Sequence, residues 1–152
     1  MLRLLFPSTI DNTYRGQWPG FWLLAPLLFL KLGIAVASLV TPGRANRADG
    51  IDISTYSEAA LRQDMATTAL LGLLHISIGL MGVLAMIRYR AMTPLIYLWL
   101  LAEFLGRRVV LDLYPIDRVA GPVAASYINM VLLALMVVGL GLSVWPRRGA
   151  SA

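Results

Sequence analysis

The chain contains no cysteine, a single histidine and a single lysine, and only two of its 152 residues are glutamate. Without cysteine there is no disulfide exchange, no Fe–S cluster, no thiolate metal site and no c-type haem attachment. One histidine cannot supply a bis-His haem or a His-rich zinc site. Charge of either sign is scarce, at 14% of residues against 59% hydrophobic, and mean hydropathy is +0.73. Such a chain is far too apolar for a soluble domain of this length. Walker, Rossmann and G-x-S-x-G patterns are also missing. Asp49-Gly50-Ile51-Asp52 hints at calcium, but an EF-hand reading would put Ala45, Arg47 and Tyr56 at ligand positions. No metal is expected.

What the chain does have is long apolar runs. Four of them, Pro19–Val40, Ala66–Ile87, Thr93–Leu113 and Pro122–Trp145, are long enough to cross a hydrocarbon core, which takes about 20 residues of helix. They fill more than half the chain, which leaves no room for a separate soluble domain. The expected fold is an all-α integral membrane protein, one four-transmembrane-helix bundle over residues 1–152 with an extramembrane loop at 41–65. Met1–Phe6 is too short for a signal-peptide core, so the first run reads as a retained anchor.

Proline and capping residues set the ends. Thr41-Pro42-Gly43 stops the first run, while Thr93-Pro94 and Gly121-Pro122 open the third and fourth with proline in the first turn. Trp145-Pro146 followed by Arg147-Arg148 reads as an interface anchor and basic stop. Thr55-Tyr56-Ser57-Glu58 matches a capping box with Thr55 as N-cap. The second helix then runs from there to Ile87, roughly 50 Å, and projects its first turns into water. Pro26 predicts a kink or a late start in the first helix.

Three of the four runs carry one ionisable residue near their midpoint: Lys31, His75 and Glu103. Charge at mid-bilayer costs from about 2.5 to more than about 10 kcal/mol, so these residues should face the bundle interior as a polar layer at the midplane. Lys31 lies too deep for its stem to reach the interface and must pair, with Glu103 the best partner, or sit neutral. Glu103 and Arg107 are spaced for an i,i+4 ion pair. Helical spacing also places Thr68, Gly72, His75, Gly79 and Gly82 on one stripe of the second helix, of the small-residue kind that lets helices approach in lipid. Further seams are Lys31, Ala35 and Ser38; Trp99, Glu103, Arg107 and Val110; and Ser126, Asn129 and Leu133. Arg108 and Asp112 form a second i,i+4 pair near the membrane surface.

These residues leave three classes of function open. The first is a non-catalytic membrane protein, an accessory subunit or a bundle binding a lipid-like ligand, favoured because no catalytic constellation is complete. The second is an oligomeric proton-coupled carrier or channel, with Lys31, His75, Glu103, Arg107 and Asn129 as the pathway. The third is a membrane enzyme of isomerase type on an apolar substrate, with Glu103, His75 and Lys31 as candidate acids and bases. No cofactor is identified. Partners are the bilayer and either another membrane protein or further copies of this chain; nothing interleaves basic and aromatic residues as a nucleic-acid surface would. Twelve arginines against one lysine fit a GC-rich bacterial coding sequence and hence the inner membrane. Arginines tie between the two faces. With Arg107 and Arg108 inside the third run's last turns, both termini are expected to be cytoplasmic.

Overall fold

The structure, a computed structural model, describes residues 2–7, 9–116, 118 and 124–147. Its elements are α1 (Leu2–Leu5), α2 (Trp18–Val40), α3 (Pro42–Ala48), α4 (Glu58–Arg88), a 3₁₀ turn (Arg90–Met92), α5 (Thr93–Leu113) and α6 (Ala124–Val144). There is no strand among the described residues, only an antiparallel bridge between Ile51 and Arg118. Among the described residues, three helices are long and apolar enough to cross a membrane: α2, α4 and the Ser126–Val144 part of α6. The fourth expected span, α5, has the same bounds as its apolar run, but Glu103, Arg107, Arg108 and Asp112 dilute its hydropathy.

Local chemistry sets most helix ends. Pro19 occupies the first turn of α2, so the helix begins before Pro26 and runs through it; of the expected kink or late start, the late start does not occur. Pro26 is exposed on the outer face. The cap of α4 also departs from expectation. Ser57, not Thr55, is the N-cap, with extended backbone and a hydroxyl accepting from Ala60 N–H at 3.3 Å, and Glu58 is the first helical residue. A serine two residues nearer the helix outcompetes the threonine, because a cap oxygen must reach the N–H of N2 or N3. The expected start of the fourth span at Gly121-Pro122 lies outside the described residues.

Glycines bring α2 and α4 together in antiparallel contact. A Cβ on Gly72 would meet Ala35 O and Leu39 N at 2.8 Å, and Gly79 and Gly82 rest on Leu32 and Leu28. The stripe on α4 is thus a close-packing surface against α2. On the other side of α2, Leu24, Leu27 and Leu28 meet Tyr97 and Leu100 of α5 and Leu132 and Met136 of α6 in one buried cluster. Tyr97 donates its hydroxyl to Gly20 O at 2.8 Å, and its ring packs against Gly139.

The two ends of the bundle are secured differently. At the end bearing the 3₁₀ turn, here the turn end, residues 11–17 strap across the helices. Ala91 N–H donates to Asp11 O, Gln17 N–H to Leu142 O, and the Gln17 amide to Pro146 O. The Thr13 N–H, followed by the Arg15 guanidinium, holds the Asp11 carboxyl below the usual carboxylate range. At the opposite, loop end, α3 folds back on α4. Asn46, 3% exposed, donates to Asp64 and accepts from the Thr68 hydroxyl at 2.9 Å, which satisfies a buried amide that would otherwise be costly.

Candidate functional site

Lys31, His75 and Glu103 come from α2, α4 and α5, each from near the middle of its helix, and converge. Lys31 Nζ donates to Glu103 Oε2, and His75 Nε2 lies 3.2 Å from Glu103 Oε1. A lysine ammonium has only donors, and a carboxylate only acceptors. With Lys31 on one oxygen, Glu103 is the acceptor for His75, and Nε2 carries the imidazole proton. The three side chains keep 17, 26 and 20% of their surface exposed, respectively.

The sequence places each residue here for a local reason. His75 lies between Gly72 and Gly79 on the face of α4 that packs against α2, so a polar ring reaches an interhelical seam instead of the outer surface. Lys31 lies four residues before the buried Ala35 on the same face of α2. Glu103 extends the buried face of α5, which runs through Thr93, Pro94, Tyr97 and Leu100.

Other expected members stand apart. Arg107 is exposed and forms no ion pair among the described residues, so the anticipated Glu103–Arg107 pair is replaced by Lys31 and His75. Glu103 is turned into the bundle, where both oxygens are taken, while Arg107 sits one turn nearer the loop end. Asn129 is half-buried and outside the group. With Tyr97 against Gly139 in the antiparallel α5–α6 pair, Asn129 stands level with Arg107 and Leu133 with Glu103. The expected α5 seam holds only at Glu103, since Trp99 is 61% exposed. The buried face of α6 is Leu132, Met136, Gly139 and Ser143, displaced from the Ser126–Asn129–Leu133 seam because it follows the aromatic ring of Tyr97. The Arg108–Asp112 pair forms, at 3.7 Å and well exposed.

Two polar contacts had no clear sequence signal: the Tyr97 hydroxyl on Gly20 O and the Asn46–Asp64–Thr68 clasp. The tyrosine's helical spacing from Pro94 and Leu100 could have marked it as inward-facing, but nothing marks a main-chain oxygen as its partner. Among the described residues no three His, Asp or Glu side chains gather in a way that could hold a metal.

Chemically, the group is a carboxylate bridged between an ammonium and an imidazole. It can hold a proton on His75 or pass one between His75 and Glu103, and it contains no nucleophile paired with a base. No protein-family model, curated protein or solved structure matches this chain.

Proposed function

We propose that the chain is a small multi-pass membrane protein without catalysis, an accessory subunit or a bundle that binds a lipid-like ligand. It would cross a bacterial inner membrane four times, with both termini cytoplasmic and Lys31, His75 and Glu103 as the polar layer at mid-membrane. The observation that carries this reading is the closure of Glu103: both of its oxygens are occupied by side chains of the protein itself. A general acid or base needs a free position within hydrogen-bond reach of its substrate. A charge that serves to assemble helices needs only its partners.

The same contacts support α5 as the fourth span. Its 21 residues cover roughly 32 Å at 1.5 Å per residue, the thickness of a hydrocarbon core. Glu103 also meets the middle of two apolar helices, which it could not do from a helix lying at the interface.

A proton-coupled carrier is the second reading. The observation that favours it is the imidazole on Glu103, because histidine changes charge near physiological pH.

Mass spectrometry of the chain extracted in native lipid tests the first reading. A retained partner chain or a retained amphiphile is expected. A chain that elutes alone and moves protons when reconstituted in liposomes would replace the first reading with the second.

A further inference from the structure

The hydrophobic core lies on only one side of the Lys31–Glu103–His75 layer. Toward the turn end, Leu24, Leu27, Leu28, Tyr97, Leu100 and Met136 are each at most 2% exposed and form a solid plug, with Leu132 buried at the level of the layer itself. Toward the loop end, the described residues of the four long helices bury no side chain larger than that of Ala35. Gly72 still holds α4 against α2 there, so that pair stays closed. It is α5 and α6 that draw away. Leu105 to Val110 are all exposed, a Cβ on Gly106 would meet nothing within 4 Å, and Ser126 to Val131 are exposed except for half-buried Asn129.

The loop halves of α5 and α6 thus stand away from the closed α2–α4 pair, as two walls on the loop side of the Lys31–Glu103–His75 layer. One wall continues the Glu103 face of α5 through Gly106, Arg107 and Val110. The facing wall is the α2–α4 pair, whose seam is closed here: Ser38 donates to Ile34 O and Thr68 to Asn46. Arg107 has no acidic partner among the described residues, and a guanidinium at that depth needs hydration or a counter-charge.

We propose that a water-filled cleft lies between these walls, a half-channel that gives protons access to His75 from the loop end only. The inference rests on the four-span reading above. The charged and titratable groups around the layer are Lys31 from α2, His75 from α4, and Glu103 and Arg107 from α5; α6 contributes only the neutral Asn129. Water in the cleft would solvate Arg107 and the remaining surface of Lys31, His75 and Glu103, while the plug blocks leakage to the turn end. The device is thus one-sided by construction. The exchange at its floor is a proton moving between cleft water and His75 Nδ1, the ring nitrogen that Glu103 does not hold, with Glu103 and Lys31 holding the charge balance.

Because the chain has no cysteine, single cysteines report cleanly. Gly106→Cys and Val110→Cys sit on the cleft wall, and Leu105→Cys sits at the same depth on the opposite face of α5. Each variant is reconstituted in liposomes and treated with a membrane-impermeant thiosulfonate from either side. Ser57→Cys marks the loop end and Arg88→Cys the turn end. Only the thiolate reacts, and a dry site suppresses it. Gly106→Cys and Val110→Cys should therefore react from the Ser57 side about tenfold or more faster than Leu105→Cys, and not from the Arg88 side. Equal rates at Gly106 and Leu105, or reaction only with a lipid-soluble maleimide, would mean that lipid fills the cleft and would overturn the half-channel. Reaction from the Arg88 side would overturn its polarity. Tyr114→Cys, at the end of α5, keeps the two readings apart: labelling from the Arg88 side means that α5 does not cross, whatever the cleft contains.

Discussion

Glu103→Gln alone should destabilise the bundle by about 3 kcal/mol or more, and adding Lys31→Met should recover most of that loss. The asymmetry follows from what each change leaves behind. Removing the carboxylate leaves the Lys31 ammonium, only 17% exposed, with a neutral amide in place of its counter-charge. An uncompensated charge in such surroundings costs several kcal/mol, whereas well-packed neutral replacements for a whole pair are often tolerated. Replacing both members removes charge, desolvation penalty and attraction together. The double variant should lie within about 1 kcal/mol of the parent chain. Thermal unfolding in detergent, taken over the full double-mutant cycle, measures the coupling between α2 and α5. A double variant no more stable than Glu103→Gln would mean that the two residues are not coupled.

Among Gly33, Gly72, Gly79, Gly82 and Gly139, alanine should be most damaging at Gly72 and Gly139, and neutral or stabilising at Gly33. The added methyl on Gly72 lands 2.8 Å from Ala35 O and Leu39 N, main-chain atoms of α2 that cannot move without shifting the helix. On Gly139 it enters the ring of Tyr97, which is pinned by its hydrogen bond to Gly20 O. Overpacking of this kind costs about 1–3 kcal/mol. Gly79 and Gly82 face the tips of Leu32 and Leu28, flexible groups that can turn aside, so alanine there should cost less. Gly33 meets nothing within 4 Å, and alanine gains about 0.5–1 kcal/mol of helix propensity. Melting temperatures of the five variants, measured side by side, check the ranking. A Gly72→Ala protein as stable as Gly33→Ala would contradict the close contact of α2 with α4.

The helices were legible in the sequence because each is an apolar run closed by proline or by a capping residue. The packing face of α4 was legible as well, since the period of Gly72, His75, Gly79 and Gly82 names a face and small residues name its use, but nothing in that period names α2 as the helix it meets. The Lys31–Glu103 pair followed from cost alone: two opposite charges at similar depth have no better partners. Less could be read from α5 and α6. Their apolar residues occur on every side, so periodicity could not choose between the Trp99 face and the Tyr97 face. That choice depends on Tyr97 filling the space over Gly139, a contact between residues 42 positions apart. The i,i+4 spacing of Glu103 and Arg107 was a true local opportunity, overruled by partners from other helices. The cap at Ser57 turned on a two-residue difference that the capping-box pattern does not resolve.

The most direct test of the Glu103-centred layer is the nitrogen NMR spectrum of the protein in a bilayer, where the lone histidine gives one unambiguous imidazole. A protonated Nε2 hydrogen-bonded to a carboxylate is expected, with its signal shifting when Glu103 is replaced by Gln and again when Lys31 is replaced by Met. A His75 signal that ignores both substitutions would show that α4 and α5 do not meet through these side chains, and the polar layer would not exist as described.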